Sequence, residues 1–376
     1  MTGLGQGMEP TLAKRIHSLD VFRGFAIAAM ILVDAPGPDR TVYPQLRHSA
    51  WNGWVFADTV FPFFLFIMGV SLVFSFSRRE QHGPADSRLY LQILRRTIIL
   101  FGLGLFINVY PFSHLSVLRI PGVLQRIALC YFFSSLIVRK CGPKGQMYWL
   151  FGLLTSYWLM MRFVPIPGIG TGVLEPGNNF AAYVDSLFLK GHMYGAWDPE
   201  GIVSTIPAIG TTLFGVLAGN WLCSPVSGRK KTVTMICAGI ALLMLGKLLD
   251  QWLPINKNIW TSTFSIFMAG FAFLSLALLY WLIDVNGYRR WTKGFEVFGR
   301  NSIAIYVLSY VFDPLPRLVV DYAAPSAKSL TTYLLTTRFS TLASPENASL
   351  VFAVSFVLFM FLIAWVLWKL EWFIKI

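Results

Sequence analysis

The feature that most constrains this chain is a series of apolar runs, each close to the length needed to cross a bilayer. A helix that spans roughly 30 Å of hydrocarbon needs about 20 mostly apolar residues, because each residue adds about 1.5 Å. Ten stretches of the sequence approach this length. The predicted spans are Ser18–Val33, Val55–Phe76, Arg96–Tyr110, Pro121–Val138, Met147–Val164, Ser204–Cys223, Thr232–Leu249, Ile259–Ile283, Phe295–Phe312 and Leu350–Leu370. A shorter segment, Leu330–Phe339, is predicted to lie along the membrane surface.

The composition excludes a soluble enzyme and a disordered chain. Of the 376 residues, 55% are hydrophobic and only 13% are charged. A soluble domain usually has about a quarter charged residues, since it must cover its core with a hydrated surface. The sequence therefore predicts an all-α polytopic membrane protein with about ten transmembrane helices.

The net charge of +13 would suit a nucleic-acid-binding protein, but its distribution indicates membrane orientation instead. Lys and Arg fall in short clusters, mostly on one set of alternate connections between the apolar runs. Loops rich in these residues stay on the cytoplasmic side of a membrane. Both termini are therefore predicted to be cytoplasmic, with residues 1–17 as a cytoplasmic segment, and no nucleic-acid partner is expected.

Several polar side chains fall inside the predicted spans, where an uncompensated charge costs several kcal/mol. They are Asp20 and Arg23 in the first span, Gln125 and Arg126 in the fourth, and Glu296, Arg300 and Asn301 in the ninth. The residues of the first and ninth spans are predicted to lie near Arg95 and Arg96, at the cytoplasmic start of the third span. Simple ion pairs that lock helices together explain the same pattern equally well.

The loop after the first span places a histidine between two carboxylates. His48 follows Asp34 and precedes Asp58, in a stretch that three prolines keep stiff and non-helical. Histidine is the side chain best suited to take a proton near neutral pH, and a carboxylate can fix its tautomer. This pattern predicts a proton acceptor at His48, and the alternative is a solvated loop histidine without a role.

Six motifs resemble one known family along most of the chain. They are SLDVFRGFAIAAMILVDAPG, LRHSAWNGWVFADTVFPFFLFIMGVS, RIPGVLQRIALCYF, WDPEGIVSTIPAI, NKNIWTSTF and FGRNSIAIYVLS, in this order from Ser18 to about Tyr310. They are similar to the transmembrane N-acetyltransferases typified by heparan-α-glucosaminide N-acetyltransferase, and most of all to its bacterial NagX-like members. The resemblance implies that residues 18–376 form a single transmembrane acyltransferase domain in the bacterial inner membrane.

The resemblance also implies a reaction and its catalytic residues. An acetyl group would pass from cytosolic acetyl-CoA to the amine of glucosamine, or of a related amino sugar, on the periplasmic side. His48 matches the family's catalytic histidine, and Asp34 stands where animal members have Asn. We therefore expect Asp34 to orient His48, with Asn52 and Asp58 in the same catalytic group. Direct transfer and a covalent acetyl-histidine remain open.

Acetyl-CoA is anionic at its nucleotide end and carries amides along its arm. On this basis Arg23, Arg95, Arg96 and Arg300 are expected to hold the phosphates, and Gln125 and Asn301 to contact the arm. Arg126 is expected to bind the acetyl end or, like Asn52, to stabilise the oxyanion. No metal is expected.

Polar and aromatic residues in two further motifs suit a sugar ring. They are Asp198, Glu200, Asn256, Asn258, Trp260 and Thr261, and the same residue types also suit the mouth of a helix at the membrane interface. A sugar permease without covalent chemistry is the competing hypothesis, and a homodimer is left open.

Overall fold

The structure is a computed structural model that describes residues 16–35, 42–80, 87–110, 118–312 and 344–373. The predicted surface segment Leu330–Phe339 and nearly all of the predicted N-terminal segment 1–17 lie outside these ranges. Within them the chain is mostly helical, and each of the ten predicted spans overlaps at least one helix.

Twelve α-helices and one short hairpin make up the described part of the chain. The helices are α1 (His17–Asp34), α2 (Val60–Glu80), α3 (Ser87–Val109), α4 (Val123–Lys140), α5 (Pro143–Phe163), α6 (Phe180–Phe188), α7 (Thr205–Cys223), α8 (Gly228–Leu249), α9 (Ser262–Leu279), α10 (Lys293–Arg300), α11 (Ser302–Phe312) and α12 (Pro345–Lys369). A 3-10 turn, Phe56–Thr59, leads into α2, and a π-helical turn, Tyr280–Val285, extends α9. Strands β1 (Leu174–Glu175) and β2 (Asn178–Asn179) pair antiparallel.

Six helical segments of the described chain are both long and apolar enough to cross a membrane. They are Phe56–Ser77, Arg88–Val109, Thr205–Cys223, Gly228–Leu249, Ser262–Val285 and Pro345–Lys369. The protein is thus an all-α, multi-pass membrane protein in class. The count of ten spans and the cytoplasmic termini stay predictions.

The predicted span Phe295–Phe312 is two helices, because the chain breaks at Asn301. The backbone of Asn301 leaves the helical region (φ −117°, ψ 32°), and its side-chain amide donates to the carbonyl of Trp372 at 2.9 Å. Its own carbonyl accepts from the amide of Ile305, so α11 starts afresh from this residue. Asparagine favours such a helix start because its short side chain competes with the helical hydrogen bonds.

The helices divide into a central group and a peripheral group. In α2, 78% of the most apolar window is buried, whereas in α12 only 17% is buried. Between its charged ends, α8 exposes large apolar side chains such as Ile240 and Met244. In a bilayer such a surface faces lipid, which is as apolar as the side chains themselves. The centre of the fold is therefore built by α1, α2, α7 and α9, and α3, α8 and α12 surround it.

Glycines bring three pairs of helices into backbone contact. The pairs are Gly24 and Gly299 between α1 and α10, Gly69 and Gly215 between α2 and α7, and Gly239 and Gly270 between α8 and α9. A Cβ atom at Gly24 would overlap the carbonyl oxygen of Phe295, and one at Gly299 would overlap that of Asp20. Small residues at helix crossings are the usual route to close packing in membranes. The contact of α1 with α10 also brings Arg23 and Arg300 to one cavity.

Candidate active site

A histidine and a buried carboxylate form the centre of the candidate site. Nδ1 of His48 lies 2.8 Å from Oδ1 of Asp58, whose side chain is completely buried. The other oxygen of Asp58 accepts from the backbone amides of Ser49 and Val55, at 3.2 and 3.1 Å. These bonds hold the carboxylate in place, so that it receives the Nδ1 proton and directs Nε2 of His48 away from itself. The side chain of His48 is 44% exposed, which leaves the ring accessible.

The loop that carries His48 is held by the loop between α8 and α9. The amide of Gly53 donates to the carbonyl of Ile255 at 2.8 Å, in a left-handed conformation that favours glycine (φ 95°). The side chain of Asn256 donates to Oδ1 of Asn52 at 3.0 Å, and that of Asn258 to the carbonyl of Ala50 at 3.4 Å. Three of the predicted site residues, Asn52, Asn256 and Asn258, therefore join the two loops to each other.

Sequence analysis missed the residue that contacts His48 from the second loop, Lys257. Its Nζ lies 2.9 Å from Nδ1 and 3.1 Å from Nε2 of His48, and 3.5 Å from Oδ1 of Asp58. Because Nζ is almost equally distant from both ring nitrogens, it lies over the face of the ring and not along the lone pair of either nitrogen. Lys257 therefore does not occupy the hydrogen-bonding direction of Nε2. Burial lowers the pKa of Lys257, and the charges of Asp58, Glu200 and Asp34 oppose that change. The only indication of Lys257 in the sequence is its position between Asn256 and Asn258, which were both predicted as sugar contacts.

Asp34 was expected to orient His48, and the structure gives that contact to Asp58 instead. Oδ2 of Asp34 accepts a hydrogen bond from the hydroxyl of Tyr310 at 3.1 Å. The difference arises because Asp34 is the last residue of α1, whereas the 3-10 turn before α2 places Asp58 beneath the histidine loop. Asp34 remains near the centre, since its charge acts on Lys257.

Asp198 and Glu200, both predicted as sugar contacts, are bound to Arg119. Nε and Nη2 of Arg119 contact the two oxygens of Asp198 at 2.8 and 2.7 Å, and Nη2 contacts Glu200 at 2.5 Å. Burial by itself would raise the pKa of Asp198, but the bonds and charge of Arg119 hold this pKa below its usual value. Asp198 also accepts from the backbone amides of Tyr194 and Glu200, so its oxygens are occupied. It shapes the loop, whereas Glu200 is 10% exposed beside it.

Trp260 and Thr261 do not form an open sugar platform. Trp260 is 1% exposed, and its indole nitrogen donates to Thr211 at 3.2 Å. Thr261 is completely buried, and its hydroxyl accepts from the amide of Phe264 as the N-cap of α9. The polar and aromatic motif here marks the start of a helix, since threonine at this position satisfies one of its free amides.

Arg126 and Gln125 are buried near the start of α4. Arg126 donates to the hydroxyl of Ser204 and the carbonyl of Gly201, and its guanidinium lies 5.1 Å from the centre of the Trp260 ring. Its Nε and Nη1, and both amide atoms of Gln125, have no hydrogen-bond partner in the described structure. Buried polar groups rarely lack partners, so these two side chains have hydrogen-bonding capacity for water or a ligand.

A cavity of about 340 Å³ lies at the other end of the central helices. Three of the predicted phosphate-binding residues, Arg23, Arg96 and Arg300, line it together with Ser71 and Tyr131. Arg23 donates to Ser71 at 2.7 Å and contacts Asp20 at 3.4 Å, while Arg96 packs over the ring of Tyr131 with its Nε unpartnered. We call this space the arginine cavity, and the group of His48, Asp58 and Lys257 the histidine site.

Like Gln125 and Arg126, two further predicted cofactor residues do not line the arginine cavity. Arg95 lies on the exposed face of α3, and Asn301 is buried against the C-terminal segment through its bond to Trp372. Successive residues on a helix point about 100° apart, so Arg95 and Arg96 cannot share one face.

Apolar side chains lie between the arginine cavity and Tyr306. Phe64, Ile127 and Ile303 line both the cavity and a small void of about 10 Å³, and Tyr306 lines the void. The ring of Tyr306 lies 5.0 Å from that of Tyr310, which bonds to Asp34. Along α1, the eleven residues from Arg23 to Asp34 correspond to about 16 Å.

Comparisons of the sequence with known proteins identify one family. The catalytic-domain family of heparan-alpha-glucosaminide N-acetyltransferase matches residues 15–255, a range that contains His48 and Asp58 and ends just before Lys257. The chain is 34% identical to heparan-alpha-glucosaminide N-acetyltransferase of Mus musculus, over 78% of the chain and 53% of the relative. It is 33% identical to the enzyme of that name from Homo sapiens, over 80% and 54%.

The chain thus spans about half the length of the curated relatives it matches. The family match covers most of the chain and includes the histidine loop, the Arg119 network and two of the three arginines of the arginine cavity, Arg23 and Arg96. On this evidence the chain belongs to the catalytic-domain family of heparan-alpha-glucosaminide N-acetyltransferase.

Proposed function

We propose that this protein transfers an acetyl group from acetyl-CoA, bound in the arginine cavity, to the amine of glucosamine or a related amino sugar at the histidine site. The observation that carries the proposal is the His48–Asp58 pair, with Nδ1 held at 2.8 Å and the ring accessible. Family membership supports the reaction type, because the relatives are named N-acetyltransferases.

The arginine cavity supports the choice of donor. Three guanidinium groups around one space offer charge and planar hydrogen-bond donors, which is the chemistry that recognises phosphates. The cavity borders the apolar side chains of Phe64, Ile127 and Ile303, which would have to part to admit the largely uncharged arm of the donor. A donor held in this way would present its thioester toward Tyr306, Tyr310 and Asp34.

At the histidine site, Nε2 of His48 would take the proton that the acceptor's nitrogen loses as it attacks the thioester carbonyl. Asp58 would stabilise the imidazolium that forms, since its carboxylate already receives the Nδ1 proton. The alternative route, in which Nε2 first carries the acetyl group, uses the same pair. In both routes the sulfur of CoA leaves toward the arginine cavity.

The acceptor would enter from the face of the protein that exposes His48. Asp34, Asp58 and Glu200 surround Lys257 there, so carboxylates outnumber the lysine and would attract an ammonium group. We assign this face to the periplasm and the arginine cavity to the cytosol, as the distribution of basic loops predicts.

Purified protein in detergent, given acetyl-CoA with and without glucosamine, tests the function. Release of free CoA that depends on glucosamine, together with formation of N-acetylglucosamine, is the expected result. Transport of N-acetylglucosamine into vesicles without any CoA release would instead support the permease hypothesis and overturn the proposed reaction.

A further inference from the structure

The primary amine that lies against the His48 ring in this structure belongs to the protein itself. Nζ of Lys257 is within 3.1 Å of both ring nitrogens of His48, and its side chain is only 13% exposed. An amino-sugar acceptor brings the same functional group, a primary amine on a saturated carbon, to the same base. Lys257 therefore lies next to the position that the acceptor nitrogen must reach.

Lys257 also has the properties of a nucleophile rather than of an ordinary surface lysine. Burial lowers its pKa, although nearby carboxylates oppose the change, so a larger fraction of the amine is neutral than for a solvated lysine. A desolvated lysine next to a base is the usual form of an activated amine in proteins. By contrast, Lys247 near the end of α8 is 73% exposed and paired with Asp250 at 2.7 Å.

We propose that Lys257 is an acetylation site of this protein, which takes the acetyl group from acetyl-CoA when no amino sugar is bound. This proposal rests on the proposed function, since it uses the same donor and the same base. The neutral amine of Lys257 moves from the ring face onto the axis of Nε2, attacks the thioester carbonyl and gives one proton to Nε2 of His48. The carbon–sulfur bond then breaks, the thiolate takes the proton from His48, and the products are Nζ-acetyl-lysine and free CoA.

Acetylation would close the site to further turnover. The amide carries no charge, so it can no longer pair with Asp58, and its acetyl group would lie over the ring of His48. An amino sugar would protect the enzyme by displacing Nζ from the ring. The state of Lys257 would thus record whether donor has been present without acceptor.

The test uses the full chain in detergent, incubated with isotope-labelled acetyl-CoA in the absence of sugar and then digested for mass spectrometry. We expect stable amide label on Lys257, with Lys247 as an internal control that reports uncatalysed acetylation. Glucosamine should suppress the label on Lys257 and leave Lys247 unchanged. His48→Ala should lower the rate of labelling at Lys257 by about a hundredfold.

Two results would overturn the proposal while leaving the proposed function intact. One is the absence of label on Lys257 in protein that releases CoA in the presence of glucosamine. The other is equal labelling of Lys257 and Lys247, since that shows only the reactivity of acetyl-CoA. If no CoA is released with glucosamine and Lys257 is also unlabelled, the proposed function fails together with this inference. Acetyl-histidine at His48 is distinguished from acetyl-lysine at Lys257 because it hydrolyses during digestion, whereas the lysine amide survives.

Discussion

The arginine cavity and the histidine site are built from similar charged residues but organise them in opposite ways. At the histidine site and the Arg119 network beside it, acids and bases contact each other at 2.5–3.5 Å. Among the described residues that line the arginine cavity there are three arginines and no carboxylate. The first region compensates its own charges, whereas in the second Arg23 alone of the three arginines is paired with a carboxylate of the described residues, Asp20 at 3.4 Å.

From this difference we expect the histidine site to fix the geometry of a reaction and the arginine cavity to supply binding affinity. Side chains fixed by each other keep a proton acceptor in one orientation, which a reaction requires. Guanidinium groups around an open space gain most from an anionic ligand, which a binding site requires. Substitutions in the two regions should therefore change different parameters, and the following experiments separate them.

The largest expected effect is in cysteine labelling from one side of the membrane, because each probe is either accessible to the reagent or protected from it. In a background with all four cysteines replaced, Lys190→Cys and Lys230→Cys place exposed probes in a loop predicted to face outward and in one predicted to face inward. An impermeant reagent added outside intact cells should modify residue 190 and spare residue 230. The opposite pattern would reverse the assignment of donor and acceptor sides.

His48→Ala should lower the rate of acetyl transfer by about a hundred- to ten-thousand-fold, because the proton acceptor is lost. Its affinity for acetyl-CoA, measured by calorimetry, should stay near that of the wild type. His192→Ala is the matched control, since His192 is exposed and contacts the carbonyl of Leu118. Near-normal turnover by His48→Ala would remove the histidine site from the chemistry.

Arg96→Gln should show the converse pattern, a loss of acetyl-CoA affinity with little change in sugar KM. A lost charged contact is worth about 1.5–3 kcal/mol, or about a ten- to hundred-fold rise in Kd. Arg300→Gln and Arg23→Gln should behave similarly. The neighbouring Arg95→Gln is the control, since Arg95 lies on the exposed face of α3 outside the cavity. Equal affinities for the Arg96 and Arg95 variants would mean that the cavity arginines are structural.

Asp58→Asn should reduce kcat by about ten- to a hundred-fold, since the loss of a partner that orients a functional histidine has effects of this size. Asp34→Asn should be milder, because Asp34 contacts Tyr310 and not the ring. Asp34→Ala should be worse than Asp34→Asn, which keeps an acceptor for the tyrosine hydroxyl. If Asp34→Asn were more damaging than Asp58→Asn, the orienting role would return to Asp34.

The sequence predicts the helices and the histidine site better than it predicts the contacts among loops. Apolar runs place every described span, because burial in a membrane demands them. His48 and Asp58 lie ten residues apart, so their association is local. Lys257 is 209 residues from His48, and no pattern within its own loop shows that this loop closes over the first.

The structure gives several predicted site residues a structural contact, because the same residue types serve two purposes. Trp260 and Thr261 suit a sugar, yet the same types cap and bury the start of α9. Asn301 suits an amide-bearing ligand, yet asparagine also breaks a helix, and here it divides α10 from α11. Arg95 and Arg96 are equivalent as charges, and only the rotation of α3 distinguishes them.

The glycine crossings have a consequence for motion. Where α1 meets α10, α2 meets α7 and α8 meets α9, the backbones are in close contact. We expect each pair to move as one rigid body, since closely packed helices shift only a little against each other. The pair α1–α10 carries Arg23 and Arg300 and reaches Asp34 at its far end, so a tilt of that body would displace both regions together. Under the proposed function, we therefore expect the flexible arm of the donor to move between helices that keep their positions.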